Sequence, residues 1–287
     1  MTYLTIGGLS FDGGESPGVD VLEQLDGWFD GTGVEAEVDN RPQAHGAFET
    51  PTWHTGRTVA MIVSRRCGSD FEAGVARREL AALLAGGRYD DLTVYEPDGH
   101  TTSARVRLAS KPLVRWLPYS QRVQAQVEFF APDPLRYGST VNAITTFPVE
   151  AGGLEFDLFT DGATHTGALE FGEAGSTGRA YLGPQGGTAP GHTQFLVTGP
   201  TPPFSIVRVE TGRRIEFSRP VAAGAQLLID TATGVVLIDG GDVDYSGLLT
   251  RWEWEPVEPG APVTFAFLPH GPSDTGTLTV MHRAAWW

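Results

Sequence analysis

Residues 122–137 read RVQAQVEFFAPDPLRY, and the fold follows from how this stretch runs and where it stops. Val123, Ala125, Val127 and Phe129 fall on one side of an extended chain, and Gln124, Gln126 and Glu128 on the other. A period of two is the signature of a strand with one buried face. Pro132 and Pro134 have no N–H to give a ladder, so the strand must end there. Similar short runs of Val, Ile, Phe and Thr lie upstream, at 57–63, 91–95 and 103–108. Downstream they recur at 167–171, 194–197, 205–209, 213–217, 225–229, 235–238, 249–254, 263–268 and 277–282. Close strands without a helical period predict a β-sandwich or jelly roll for the second half. Residues 137–153 read as a loop between the halves, which places the expected boundary near 140.

Turn chemistry joins the strands. In Glu96-Pro97-Asp98-Gly99 the proline presets its backbone angle and the glycine accepts a positive φ, which predicts a hairpin between neighbouring strands. Asp230 to Gly234 predicts another. One segment breaks the strand pattern. Ser69-Asp70-Phe71-Glu72 has the form of a capping box, and Phe71, Val75, Leu80, Leu83 and Leu84 follow at near-helical spacing, so a helix is expected over about 70–85. Gly86-Gly87 stops it. Residues 11–54 differ again: a strand near 21–29, otherwise long loops with a run of acids through Asp39. Loops of that length in a compact domain are usually functional or involved in partner contacts.

The charge excludes one class of partner. Against 35 Asp and Glu stand 20 Lys and Arg, a formal charge of −15, and Lys111 is the one lysine. Phosphate neutralisation needs clustered cations, which neither half supplies. Cys67 is the one cysteine, so no intrachain disulfide and no cysteine zinc site can form. The first ten residues lack the pattern of a secretory signal, and no apolar run approaches a membrane span.

A search for chemistry yields only weak candidates. Gly14-Glu15-Ser16-Pro17-Gly18 has the letters of a nucleophile elbow, but Pro17 disfavours the helix that must follow Ser16. Asp239, Asp242 and Asp244 share a glycine-rich turn that could offer oxygens to calcium, without the spacing of an EF-hand. Trp252 and Trp254 would share one face of a strand; burial in the sandwich core is the simpler expectation, a sugar-stacking platform the other. Glu253, Glu255 and Glu258 lie beside them without forming an assignable catalytic pair. No histidine pair has metal-ligand spacing, and no phosphate-binding loop is present. No cofactor is expected, and no enzyme.

Three local patterns, taken in order, carry a resemblance. Gly56-Arg57-Thr58-Val59 opens an apolar strand that is followed by the single helix. The stretch Val127 to Tyr137 ends a strand in A-x-D-P-x-x-Y form. Gly224 to Val235 has the form G-x-x-L-x-I-D-x-x-x-G. Together, with Trp252 to Phe267 after them, they resemble the distal tail protein family of long-tailed, non-contractile bacteriophages, over nearly the whole chain. The resemblance implies a mainly β protein. Residues 1–140 would form a tail-tube-like β-sandwich with one helix, and 141–287 a galectin-like or jelly-roll β-sandwich.

It implies a structural role too. The first domain would form a homo-oligomeric ring, a hexamer, that joins the tail-tube protein to the tail-tip hub and to receptor-binding proteins. The protein would be assembled in the host cytoplasm and reside at the virion tail tip. An arm from 11–54, with Phe11, Trp28, Phe29 and His54, would reach neighbouring subunits. Trp286 and Trp287 would be a C-terminal anchor, buried against their own sandwich or a partner, since paired exposed tryptophans make an apolar patch. DNA would pass through the lumen without specific binding, repelled by acids. The alternative is a second domain that contacts host-surface glycans. The large sugar-binding insertion typical of many members has no counterpart in the second half.

Overall fold

The computed structural model describes residues 2–12, 20–43, 45–48, 50–149, 154–155, 170–171, 175–272 and 275–287. The chain divides into two compact units: Met1–Ser139 with Ala285–Trp287, and Thr140–Ala284. The last three residues, expected in the second domain, therefore belong to the first. The serine of the Gly14–Gly18 stretch lies outside the described residues, as do residues 167–169 of one expected strand.

The first unit contains β1 (Tyr3–Ile6), β2 (Leu9–Phe11), β3 (Asp20–Asp26), β4 (Val34–Ala36), β5 (Thr52–His54) and β6 (Arg57–Arg66). The helix α1 (Asp70–Ala81) follows, then β7 (Asp90–Tyr95), β8 (Thr101–Leu108), β9 (Leu113–Leu117) and β10 (Arg122–Ala131). Neighbours run β8-β7-β1-β2-β3-β6-β10, and β10 meets β8 again at Phe129↔Leu108 and Phe130↔Arg107. The expected sandwich is thus one sheet curled until its ends meet, which removes most free edges. All these pairs are antiparallel except β2–β3. β9 lies along the remaining length of β10, from Arg122↔Leu117 to Gln126↔Leu113. The alternation read in 122–130 holds: Val123, Ala125, Val127 and Phe129 are fully buried. They meet Val59, Met61 and Val63 of β6 in the unit's core, with Leu4, Phe11, Leu92, Val94 and Val106. The Glu96–Gly99 hairpin forms as expected, with Gly99 N–H donating to Glu96 O at 3.0 Å.

α1 packs on β9 and β10. Ser69 Oγ caps it by accepting from Glu72 N–H at 3.3 Å, while the Glu72 carboxylate accepts from Gly68 N–H at 2.7 Å, one residue beyond the expected box. The buried face is Ala73, Ala76 and Leu80, continued by Leu83 and Leu84 past the helix. Phe71, read as part of that face, is 79% exposed. Small residues let the helix approach the sheet closely, and Phe71 in the first turn projects away. Arg65 fastens helix to sheet, forking onto both oxygens of Asp20 at 2.8 and 2.6 Å and reaching Glu79 at 2.6 Å. The Asp20 hydrogen bond, more than any other contact, holds the guanidinium in its charged form against the cost of burial.

The strand β11 (Arg136–Thr146) occupies much of the expected interdomain loop. After Pro134 no proline interrupts the ladder before Pro148, so the strand can run through this stretch. The second unit contains β12 (Leu154–Glu155), β13 (Glu170–Phe171), β14 (Arg179–Leu182), β15 (Thr193–Thr198), β16 (Phe204–Arg208) and β17 (Arg214–Phe217). Then come β18 (Gln226–Asp230), β19 (Val235–Ile238), β20 (Leu249–Trp252), β21 (Val263–Pro269) and β22 (Thr277–Trp286). Two antiparallel sheets, β19-β18-β15-β22 and β14-β21-β16-β17-β20, enclose one core. This is the sandwich expected from the strand spacing. Phe147 stacks on Phe267 at 4.0 Å, and Phe204 meets Phe267 at 5.3 Å. At the β18–β19 turn Gly234 takes φ +72° and its N–H donates to Asp230 O at 2.9 Å.

Candidate interaction surface

Between β3 and β6 the first unit puts out a two-stranded arm, residues 34–54. β4 pairs with β5 as Val34↔His54, Glu35↔Trp53 and Ala36↔Thr52, and Asn40 bridges Ala47 nearer the tip. Every residue of both strands is exposed. Val34 (60%), Val38 (67%), Phe48 (52%) and Trp53 (71%) carry large apolar surface into solvent. Near the tip the Arg41 guanidinium lies 5.5 Å over the Phe48 ring. The arm has no core of its own, and an isolated hairpin of this kind is marginal in water.

The root, by contrast, is tightly held. Arg57 donates through Nη1 to the carbonyls of Gly27 (2.9 Å), Trp28 (3.0 Å) and Asp30 (2.8 Å), and through Nε to Pro134 O (3.1 Å). Burial pushes its pKa down and nearby Arg136 adds to this, with Asp30 opposing. Four carbonyl dipoles at Nη1 and Nε replace part of the water that the buried charge gives up, while Nη2 is buried without a hydrogen-bond partner. Gly27 takes φ +77°, and a Cβ there would stand 2.2 Å from Thr58 O, so only glycine fits. Arg136 lies 5.8 Å from the rings of both Trp28 and Phe29. Its Nη2 donates to Trp287 O at 2.9 Å.

The other residues read from the sequence distribute as follows. Phe11 and Trp28 are fully buried in the unit's own core and are not available to a neighbour. Their bulk suited an arm on paper, yet β2 and the turn after β3 are parts of the barrel wall. Phe29 is 53% exposed. His54 ends β5, shares a 2.6 Å hydrogen bond with Thr32 Oγ1 and stacks on Trp287 at 4.0 Å. Trp286 meets the His100 ring edge-on at 5.6 Å. The two tryptophans are thus anchored within the first unit, around the arm's root and the β7–β8 hairpin. Trp53, the most exposed tryptophan, drew no attention in the sequence, where it stands among polar neighbours.

The chemical candidates of the second unit come apart. Trp252 ends β20 and is 39% exposed, whereas Trp254, beyond the strand, packs edge-on to Phe195 at 5.1 Å and parallel to Phe265 at 6.0 Å. The two do not form one platform. Asp239 accepts from Gln226 N–H at 2.7 Å, and Asp244 accepts from Val236 N–H, Ser246 N–H and Ser246 Oγ–H. These bonds from backbone and hydroxyl hold the Asp244 carboxyl below its usual range. Both carboxylates therefore organise turns. Among the described residues no group of three His, Cys, Asp or Glu could hold a metal ion, Asp242 included. Arg251 at 2.7 Å lowers the Glu253 pKa, the wrong direction for a general acid. Ser205, 4% exposed, shares a 2.5 Å hydrogen bond with the exposed His270, and no acid stands behind the histidine in any hydrogen bond or ion pair among the described residues.

No family model matches the sequence, and no curated protein is similar to it. Solved structures are similar in fold across the whole chain. The Dit protein (gp 19.1) of phage SPP1, described as a paradigm of the hub adsorption apparatus in phages infecting Gram-positive bacteria, aligns with a TM-score of 0.61 at 11% identity, covering 99% of both chains. A chain of the phage P2 baseplate in its activated conformation with calcium aligns at 0.54 and 10% identity, covering 98% of each. A chain of the strontium form of that baseplate aligns at 0.52 and 11% identity, over 98% of this chain and 97% of the other. At these identities the likeness is one of fold.

Proposed function

We propose that this chain is a structural, non-enzymatic component of a phage tail tip. Its first unit closes into a ring, a hexamer by the family resemblance, and the ring joins the tail tube to the hub and receptor-binding parts. The observation that carries the reading is the arm at 34–54, a hairpin on a tightly held root whose two strands are exposed and carry Val34, Val38, Phe48 and Trp53 into solvent. The end-to-end fold likeness to a phage hub protein and to baseplate chains supports the same reading. DNA passes through the lumen, whose acids keep phosphates from sticking.

Size-exclusion chromatography with light scattering on the full chain, alone and with the tail-tube protein, tests this. A ring-sized species is expected. A monomer under both conditions would sink the proposal, and a net-positive lumen in the assembled ring would sink the account of the charge.

A further inference from the structure

We infer that the arm of one copy docks in the groove between α1 and β9 of the next, with Trp53 as the inserted side chain. This rests on the ring reading and names the two surfaces that close it. The arm carries acids. In Val34-Glu35-Ala36-Glu37-Val38-Asp39 the apolar and acidic residues alternate; Glu35 lies in β4, and Glu37 and Asp39 follow its end at Ala36 toward the tip. Trp53 stands directly opposite Glu35 across the ladder and so projects from the same side as Glu35, 71% exposed.

The groove has the complementary character. Gly74, Arg77, Arg78, Ala81, Pro112 and Val114 line about 520 Å³. The lining is small and apolar apart from its two arginines, and no lining residue is acidic. That volume takes an indole ring with room for its flanks. A guanidinium packs readily on a tryptophan face and pairs with a carboxylate in the same plane. Among the described residues Arg77 and Arg78 make no ion pair, and neither do Glu35, Glu37 and Asp39. Lys111 and Arg115, both exposed, flank the groove in sequence, and Phe71 adds exposed apolar surface on the same helix.

Topology favours a neighbour over the arm's own groove. The arm joins β6 at its Arg57 end, where the root is fixed, while α1 leaves β6 at its Arg66 end, roughly 30 Å along the strand. Donor and acceptor are different patches of one chain. Repeated about an axis, such a heterologous contact closes a ring.

Charge reversal tests the pairing in the full-length chain. E35R/E37R and R77E/R78E should each weaken self-association at least tenfold with unchanged melting temperature, and W53A should weaken it likewise. The fourfold variant carrying both reversals should assemble as the wild type does, a rescue that misfolding cannot produce. If the fourfold variant stays dissociated while replacing 34–54 by a short Gly-Ser link also dissociates the ring, the arm docks elsewhere. The inference then falls and the ring reading stands. If the wild type is monomeric throughout, alone and with the tube protein, both fall.

Discussion

Replacing Arg57 by alanine should unfold the first unit at distinctly lower temperature. The guanidinium supplies four hydrogen bonds to carbonyls, those of Gly27, Trp28, Asp30 and Pro134, and the side chain is 3% exposed. The bond to Trp28 O is buried and the other three are partly so. A fully orphaned buried carbonyl costs about 1–3 kcal/mol, and acceptors that water can reach cost a fraction of that. Relief of the buried charge itself offsets part of the loss. The net is about 3 kcal/mol, which corresponds to a fall of roughly 6–12 °C in a domain of this size. Differential scanning calorimetry of the full chain should show the transition of the first unit move and that of the second stay. Arg57→Lys keeps the charge but cannot reach carbonyls on both sides of the root, so it should recover less than half of the loss. A shift under 2 °C for the alanine variant, or full recovery by lysine, would show that the root is held by packing and not by the guanidinium.

The remaining expectations concern the helix and the second unit. Ser69→Ala removes the acceptor for Glu72 N–H and should cost about 1 kcal/mol by urea denaturation, with Ser69→Asp recovering it; equal loss in both variants would refute the cap. His282 is 2% exposed in β22, and burial pushes its pKa below the ordinary value. The unfolded chain therefore takes up the proton first, so stability is full above about pH 6.5 and declines as pH falls below it. His282→Gln should flatten that slope in a series of melting curves, and a retained slope would assign the effect elsewhere. Trp254→Ala should destabilise the second unit by about 3 kcal/mol or more, while Trp252→Ala, at an exposed strand end, should cost under 1. If a glycan array binds the wild type and binding vanishes in a folded Trp252→Ala protein, the second unit contacts sugars after all.

Strands and hairpins were legible because period and turn chemistry are local. Residues 122–137 declared both their buried face and their end, and Asp230 and Gly234 declared a turn. The helix was legible from its cap, but its buried face was not. Residue size suggested Phe71, whereas closeness to the sheet selected Ala73 and Ala76. Curling of the first sheet rests on the meeting of β10 with β8, which no local pattern encodes. The arm was legible only as a loop of unusual length. Its alternation in 34–39 looked like an acidic run because no buried face is made within the chain. The same holds for Arg57. A lone arginine at a strand start gives no sign that four carbonyls from two distant segments will converge on it. Spacing in sequence likewise said nothing of the turns that recruit Asp239 and Asp244.

Residues 285–287 complete the first unit although the whole of the second stands between them and residue 139. Order of synthesis is therefore not order of completion. On the ribosome the barrel can form its sheet early, yet the stack of Trp287 on His54 must wait until residues 285–287 emerge. Closing so long a loop costs little more than closing a short one, because the entropy grows only with the logarithm of length. The arm's root thus gains its final support only when translation has reached these residues. A chain whose residues 285–287 have not yet emerged would carry an arm less firmly set at its root.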